Sequence, residues 1–268
     1  MRTRIASRNP IGVFDSGVGG LTVLRALRQR LPGESFLYLG DTARLPYGTK
    51  SAGTVQRYAL NAARHLIEHG VRLLVVACNT ASSYALPELA AASPVPVIGV
   101  VEPGVSAALG LGVRRLGVLG TEGTIRSGSY QAAIARLDGG TEVRAVACPL
   151  FVPLAEEGWG DHPVTDQVAR HYLDPLLEWN VEALILGCTH YPLLKPSLAR
   201  VAGPGVHLVD SASAVAETVA VTLDGASGSG TGEVYIHLTD ASDHFLRVAR
   251  MILDGPPEHL EVVTLPQS

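Results

Sequence analysis

Residues 73–81 read LLVVACNTA, and residues 183–191 repeat the pattern as ALILGCTHY. In each stretch a short apolar run predicts a buried strand that ends at a cysteine, Cys78 or Cys188. The match extends upstream, where HLIEHG and PLLEWN are typical of helix ends, with Gly70 or Asn180 as a left-handed C-cap. The chain therefore contains two helix–turn–strand–Cys units.

A second pair of segments repeats around these units. IGVFDSGVGG at residues 11–20 predicts a strand and a glycine-rich turn, and RLGVLGTEGT at residues 115–124 places Thr121 where Ser16 stands. Such turns suit anion binding, because free N–H groups at a helix start point at the ligand. The glycine spacing, and Asp15 within the turn, argue against a dinucleotide fingerprint.

Strands that alternate with helices predict an α/β fold with parallel sheets covered by helices. The duplication predicts two similar α/β domains related by pseudo-two-fold symmetry. We expect residues 1–99 and 210–268 to form the first domain, which carries Cys78, and residues 100–209 to form the second, which carries Cys188. Ligands of open α/β sheets bind beyond the carboxyl ends of the strands, so the active site is predicted in the cleft between the domains.

Connecting segments give weaker predictions. Prolines in residues 94–101 indicate an edge strand, and residues 149–160 are predicted to be a loop that carries Glu156. The PYG turn at residues 46–48 predicts a tyrosine hydroxyl at the surface. Residues 225–232 are predicted to be a flexible linker. The strand–helix–strand tail after them is expected to extend the first domain.

Composition excludes several functional classes. Of 268 residues 47 % are hydrophobic and 17 % charged, and the net charge of −4 does not favour nucleic acid or an anionic membrane as a partner. We predict neither a secretory signal nor a run of about 20 apolar residues that could span a membrane. The three cysteines cannot all pair, so free thiols and a cytoplasmic location are expected.

A lone cysteine at a strand end usually indicates packing, which is the interpretation for Cys148. The other two cysteines differ because polar residues follow each of them, Asn79 and Thr80 in one case and Thr189 and His190 in the other. A packing cysteine does not require a hydroxyl, an amide and an imidazole beside it.

Four kinds of site remain open for Cys78 and Cys188. A zinc site with His190 would have a cramped Cys-x-His spacing, and a redox pair would lack the usual Cys-x-x-Cys arrangement. A cysteine hydrolase would leave one thiol unexplained. A two-base isomerase uses both thiols, because inverting a stereocentre requires a proton acceptor on one face and a proton donor on the other.

The two-base hypothesis needs groups that assist the thiols. A free thiol has a pKa of about 8.5 and is mostly protonated at neutral pH. Asp15, Glu156 and His190 are the candidates. Pyridoxal phosphate would need a lysine, and Lys50 and Lys195 are the only lysines in the sequence. We therefore predict chemistry at an α-carbon without a cofactor, and no metal site.

Five separated motifs together resemble the glutamate racemases of the cofactor-independent aspartate/glutamate racemase superfamily. They are GVFDSGVGGLTV at 12–23, YLGD at 38–41 with PYG at 46–48, ACNTA at 77–81, CPLFVPL at 148–154 with Glu156, and LGCTHYP at 186–192. The resemblance covers nearly the whole chain. It implies interconversion of L- and D-glutamate, which supplies D-glutamate for peptidoglycan.

The resemblance also implies roles for individual residues. Cys78 matches the thiolate that removes the proton from D-glutamate, with Asp15 assisting it. Cys188 matches the thiolate that acts on L-glutamate, with Glu156 and His190 assisting it. The positions implied for substrate binding are Asp15, Ser16, Pro46, Tyr47, Gly48, Asn79, Thr80, Thr121, Thr124, Thr189 and His190.

Two alternatives stay open beside this resemblance. An aspartate racemase of the same superfamily is the nearest enzyme, although the PYG loop resembles the glutamate enzymes. A two-lobed amino-acid-binding protein would share the cleft without needing two thiols. The expected partner is a small-molecule substrate, L- or D-glutamate, with no nucleic acid and no membrane, and a homodimer is left open.

Overall fold

The computed structural model describes residues 9–223, 232–253, 255 and 259–266. Within them the chain forms two parallel sheets. The first has the strand order β10-β9-β2-β1-β3-β4. Its strands are β1 (Ile11–Asp15), β2 (Phe36–Gly40), β3 (Leu73–Val76), β4 (Val97–Gly99), β9 (Val234–Leu238) and β10 (His259–Val262).

The second sheet has the order β6-β5-β7-β8. It consists of β5 (Arg115–Gly120), β6 (Glu142–Ala147), β7 (Ala183–Gly187) and β8 (His207–Asp210). Its order repeats the β2-β1-β3-β4 part of the first sheet strand for strand, so the duplication in the sequence is also a duplication of topology. The predicted fold class, two parallel-sheet α/β domains, is confirmed.

Helices cover both sheets. They are α1 (Leu21–Arg30), α2 (Ala52–Glu68), α3 (Asn79–Ala92), α4 (Val101–Leu109), α5 (Glu122–Ser127), α6 (Ser129–Leu137), α7 (Phe151–Glu156), α8 (Pro163–Glu178), α9 (Lys195–Ala202), α10 (Ser211–Thr222) and α11 (Asp243–Leu253). Helix α10 packs against both α1 and α4 and so joins the helical layers of the two sheets. None of the helices in the described ranges has the length and hydrophobicity needed to cross a membrane.

The cysteine strands are central in both sheets and buried on both faces. In β3 the side chains of Leu73 and Val75 enter one core, while Leu74 and Val76 enter the other. Strand β7 alternates in the same way between its two cores. Successive side chains of a strand point to opposite faces, which explains why these runs are continuously apolar.

Several local predictions are confirmed. Gly70 and Asn180 have φ values of 76° and 57°, as expected of left-handed C-caps. Strand β4 lies at a sheet edge, and the tail strands β9 and β10 extend the first sheet beyond β2. The predicted linker at 225–232 lies outside the described residues except for Gly232. The domain boundaries at residues 99/100 and 209/210 stay a prediction.

Two local predictions are wrong. Residues 149–160 are not simply a loop, because α7 forms within them and buries Phe151, Leu154 and Ala155 at three- and four-residue spacing. The segment after β5, for which only a turn is predicted, forms the short helix α5, and α6 follows it. Gly128 between them has a φ of 69°, a left-handed conformation that ends α5.

Candidate active site

The glycine-rich turn after β1 and the cysteine after β3 lie at the same edge of the first sheet. Strand β1 lies between β2 and β3, so the chain leaves β1 toward one side of the sheet and later returns on the other side. Such a switch point at the carboxyl ends of parallel strands forms a crevice in which ligands bind. Strands β5 and β7 form the equivalent point in the second sheet, with Thr121 after β5 and Cys188 after β7.

Cys78 is the N-cap residue of α3. Its Sγ accepts a hydrogen bond from the Ala81 N–H (3.5 Å) and lies 3.5 Å from the Ser16 Oγ, to which the thiol can donate. A helix N-terminus favours a thiolate. Burial works against the charge, as does the nearby carboxylate of Asp15, and together they raise the pKa of Cys78 to about 12. Cys78 is therefore a thiol at neutral pH.

Cys188 has a different partner. Its Sγ lies 3.8 Å from Nδ1 of His190, whose Nε2 lies 3.0 Å from Oε1 of Glu156. The other oxygen of Glu156 contacts Nε2 of His244 at 3.2 Å. His244 lies in the tail helix α11, so the carboxylate joins an imidazole of the second sheet to one of the C-terminal segment.

The protonation of this chain of groups follows from its contacts. Burial disfavours a charged imidazole, but hydrogen bonds to Cys188 and Glu156 outweigh it and raise the pKa of His190 to about 10. Burial also works against a charged Glu156, yet hydrogen bonds from His190 and His244 hold its pKa below the usual value. At neutral pH His190 is therefore an imidazolium that stabilises negative charge on the Cys188 sulfur.

Asp15 is fully buried and lies behind the cleft. Its Oδ2 accepts a hydrogen bond from the Gly17 N–H (2.9 Å), and the Thr189 hydroxyl lies 3.4 Å from Oδ1. Burial raises the pKa of this carboxyl, against the opposing effects of His190 and these hydrogen bonds. As an anion Asp15 disfavours a thiolate at Cys78, so it could assist that cysteine by accepting a proton. This role stays a prediction.

Threonines join the two halves across the cleft. The Thr80 hydroxyl lies 3.0 Å from the Thr121 hydroxyl and 3.1 Å from that of Thr124. Asn79 donates from Nδ2 to the Tyr130 hydroxyl at 2.7 Å. The polar residues that follow Cys78 are therefore held by partners in the second half of the chain.

A cavity of about 420 Å³ separates the two halves, and both Cys78 and Cys188 line it. The other predicted site residues on its wall are Ser16, Pro46, Tyr47, Gly48, Asn79, Thr80, Thr121, Glu156, Thr189 and His190. Asp15 and Thr124 stand behind the wall and contact residues that form it. The prediction that both cysteines approach one cleft is confirmed.

Seven residues of the cavity wall were not predicted from the sequence. These residues are Gly17, Leu45, Thr49, Glu122, Pro149, Val152 and Pro153. Most of them present backbone or apolar surface, which carries no chemical pattern, although Pro149, Val152 and Pro153 fall within a quoted motif. His244 was also missed, because it lies far along the chain from the carboxylate that it contacts.

The expectation for Tyr47 is wrong in one respect. Tyr47 belongs to the cavity wall, but it is only 1 % exposed and its hydroxyl donates to Oδ2 of Asp41 at 2.5 Å. The hydroxyl is therefore satisfied inside the protein and is not at the surface. The loop meets the second half through Gly48, where an added Cβ would lie 2.5 Å from Cβ of Thr121.

Gly19 marks a second close approach between the halves. A Cβ at Gly19 would lie 2.4 Å from the Thr189 hydroxyl oxygen and 2.5 Å from Nδ1 of His190. The glycine turn of the first half therefore packs directly on the residues that follow Cys188. Any larger side chain there would displace the imidazole that contacts that sulfur.

The arrangement can act as a proton acceptor and a proton donor on one substrate. Cys188 has a cationic partner and Cys78 is protonated, and both sulfurs border the same cavity. A substrate carbon held between them could lose a proton to one sulfur and gain a proton from the other.

Comparisons with known proteins also indicate a racemase. A family profile for Asp/Glu/hydantoin racemases matches residues 11–219. The glutamate racemase of Geobacter metallireducens is 50 % identical over 250 residues, which cover 91 % of this chain and 93 % of that protein.

Solved structures show the same relationship. The crystal structure of glutamate racemase from Francisella tularensis in complex with D-glutamate superposes with a TM-score of 0.89 at 38 % identity, covering 96 % of this chain and 98 % of that one. An aspartate racemase homologue from Pyrococcus horikoshii has a TM-score of 0.57 at 17 % identity, covering 81 % and 99 % of the two chains. The second likeness shows a shared fold alone.

Proposed function

Because this chain belongs to the glutamate racemases of the Asp/Glu/hydantoin racemase family, we propose that Cys78 and Cys188 are the two bases that invert the α-carbon of glutamate. The protein is an isomerase that interconverts L- and D-glutamate and supplies D-glutamate for peptidoglycan. The observation that carries the residue assignment is that two thiols, each from a central strand of a different sheet, border one cavity.

In the direction from L-glutamate, Cys188 acts first as the base and Cys78 acts second as the acid. The Cys188 thiolate removes the α-proton, the carbon–hydrogen bond breaks, and its electron pair remains on the α-carbon and spreads into the α-carboxylate. The Cys78 thiol then donates its proton to the opposite face and becomes a thiolate. D-glutamate leaves, and proton exchange with solvent restores the starting state.

The reverse reaction starts with Cys78 as the thiolate. Its support is the N-terminus of α3, through the Ala81 N–H, and the Ser16 hydroxyl. Asp15 fits the acceptor of the Cys78 proton, because its pKa is raised by burial and a neutral carboxyl no longer repels the thiolate. The Cys188 thiol then donates its proton to the opposite face of the α-carbon, and His190 returns a proton to the resulting thiolate.

The substrate is held by the polar wall of the cavity. We assign the α-carboxylate and the side-chain carboxylate of glutamate to hydroxyls, amides and turn N–H groups, which suit anions. Ser16, Asn79, Thr80, Thr121 and Thr189 supply these groups. Thr124 acts behind them by holding Thr80 and Thr121.

We also propose a cytoplasmic location and a homodimeric assembly. Two thiols that must cycle between S–H and S⁻ require a reducing compartment, which supports the cytoplasm. A homodimer is compatible with the family resemblance. Sedimentation of the purified full-length chain tests it, with a dimer mass expected and a monomer mass overturning it.

A chiral assay tests the activity directly. Purified protein is incubated with L-glutamate and, separately, with L-aspartate, without added cofactor, and the enantiomers are separated by chromatography. We expect D-glutamate to accumulate until the enantiomers are equal, and aspartate to react far more slowly. Faster racemisation of aspartate would favour the other racemase, and no racemisation of either would favour a binding protein.

A further inference from the structure

Three histidines form a cluster outside the cleft. His65 lies in the last turn of α2, His69 is the C-cap residue of that helix, and His237 lies in β9. One ring nitrogen from each can be chosen so that all three lie within 4.8 Å of one another. Among the described residues this is the group of histidine, cysteine and acidic side chains that is compact enough to hold a metal ion.

The ring orientations suit a shared ligand. Nε2 of His65 lies 2.9 Å from Nδ1 of His237, and the two rings meet edge to face. His69 is fixed by a 2.7 Å hydrogen bond between its Nδ1 and the backbone carbonyl of His65. Metal-binding histidines commonly donate their second ring nitrogen in this way, which leaves Nε2 of His69 as the ligand atom.

The distances are close to those of a metal site. A zinc ion binds imidazole nitrogens at about 2.0–2.1 Å, which places two ligands of a tetrahedral ion roughly 3.3 Å apart. The His65–His237 pair must therefore open by a few tenths of an ångström, and His69 must move inward. A proton lies between His65 and His237 in this structure, and binding a cation requires the donor ring to carry that proton on its other nitrogen.

The surroundings supply an entrance and a fourth ligand. The cluster borders a surface pocket of about 350 Å³ that is also lined by Arg64, Glu68 and Glu261. Glu261 of β10 is the register partner of His237, so the two side chains project from the same face of the sheet. Its carboxylate, or a water molecule, can complete a tetrahedral set.

We propose that His65, His69 and His237 form a binding site for a divalent transition metal of the zinc type, which ties α2 to β9 and the C-terminal strand β10. Imidazole ligands favour Zn²⁺, Ni²⁺ and Cu²⁺ over Mg²⁺ or Ca²⁺. The pocket and the catalytic cleft are lined by different residues, so the role is structural. The His-x-x-x-His spacing in the sequence is the signal that would have found the helical pair.

Zinc titration by calorimetry tests the proposal. Because the cleft thiols could also bind Zn²⁺, the full-length chain carries Cys78→Ala and Cys188→Ala in every sample. We expect one Zn²⁺ per chain and a higher Tm in its presence, since a ligand that binds the folded state stabilises it. His65→Gln and His69→Gln should each weaken binding by more than about tenfold, because even the loss of a residue that only orients a metal ligand costs about 10–100-fold.

The control is His207→Gln, which removes an exposed histidine of β8 and should keep both the stoichiometry and the Tm shift. Both cluster variants alter half-exposed side chains, and far-UV circular dichroism verifies that they fold. No Zn²⁺ binding in the chain that carries Cys78→Ala and Cys188→Ala would overturn the proposal, as would binding that persists unchanged in both folded cluster variants.

Discussion

Cys78 and Cys188 occupy equivalent places in a duplicated topology but have different electrostatic partners. Both follow a central strand, and their exposed fractions are similar at 5 % and 7 %. Cys188 meets an imidazole held by Glu156, whereas Cys78 caps a helix and lies near the carboxylate of Asp15. The fold therefore positions the two thiols symmetrically, and the neighbouring residues give them opposite electrostatic surroundings.

This asymmetry has a thermodynamic limit. L- and D-glutamate have equal free energies in water, so kcat/KM must be the same in both directions for the wild type and for every variant. A difference between the two cysteines can appear in kcat and KM taken separately, in the pH dependence, or in the reactivity of each thiol. The following experiments use these quantities.

Removing either thiol should have the largest effect. We expect Cys78→Ala and Cys188→Ala each to lower kcat by about 10⁴-fold in both directions, the upper end of what one acid–base group contributes, because inversion needs both faces. Chiral chromatography measures the rate. Cys148→Ala is the matched control, since this buried thiol lies outside the cavity wall, and it should retain wild-type turnover. Substantial racemisation by either single-thiol variant would contradict the two-base assignment.

Alkylation by iodoacetamide should distinguish the two thiols in the wild type. Thiolates react and thiols do not, and the pKa of Cys78 is raised to about 12. We therefore expect Cys78 to be alkylated more than about tenfold more slowly at neutral pH than Cys188, whose sulfur lies beside the imidazolium of His190. His190→Asn removes the cation beside Cys188 and should abolish this preference. Mass spectrometry of peptides containing each cysteine gives the two rates. Equal rates in the wild type would show that the two thiols do not differ in their electrostatic surroundings.

Replacing Glu156 should move the alkaline limb of the pH–rate profile. The pKa of His190 is raised to about 10, so the ring is protonated below that pH and kcat/KM should fall as pH rises through it. Glu156→Gln removes an interaction that raises this pKa. The fall should then occur at lower pH, with kcat/KM reduced up to about tenfold above the new pKa, as for a loss of about 1 pKa unit, and little changed at neutral pH.

The neighbouring variant Glu157→Gln provides the control for this profile. Its carboxylate is largely exposed and faces Arg247 at 3.8 Å, so both the profile and the neutral-pH rate should match the wild type. An alkaline limb that stays in place in Glu156→Gln would disprove the link between this carboxylate and the imidazole.

The smallest effect is expected at His244. This side chain is 40 % exposed and contacts the oxygen of Glu156 that does not bind His190. Exposed ion pairs contribute up to about 1 kcal/mol, so His244→Asn should lower kcat/KM at most about fivefold. His171→Gln, at an exposed position of α8, is the control. A loss as large as that of Glu156→Gln would place His244 within the catalytic network.

The pattern of apolar residues in the sequence predicted most of the fold. The continuous apolar runs before Cys78 and Cys188 predicted central strands, because a strand covered on both faces has no polar alternation. The helix α7 was missed because six residues with an internal proline give too short a pattern to distinguish a helix from a loop. The helix α5 is likewise only six residues long, and Gly128 ends it.

The candidate site likewise contains residues that the sequence predicted and contacts that it did not. Cys78, Cys188 and the polar residues after them are adjacent in sequence to a recognisable strand, so their place at the cleft was predictable. The Glu156–His244 contact and the burial of Tyr47 against Asp41 depend on tertiary packing between distant segments. No local pattern contains that information. The raised pKa of Cys78 was not predictable for the same reason, because burial and the neighbouring Asp15 cause it.

The position of deuterium in both enantiomers tests the two-base proposal most directly. L-glutamate is incubated with the protein in deuterated water, and α-deuterium is measured in substrate and product while conversion is still low. We expect D-glutamate fully deuterated at the α-carbon, because Cys78 supplies a solvent-exchanged proton, and recovered L-glutamate that is still protiated. D-glutamate that retains the original hydrogen, or L-glutamate labelled as fast as product forms, would show that one base serves both faces.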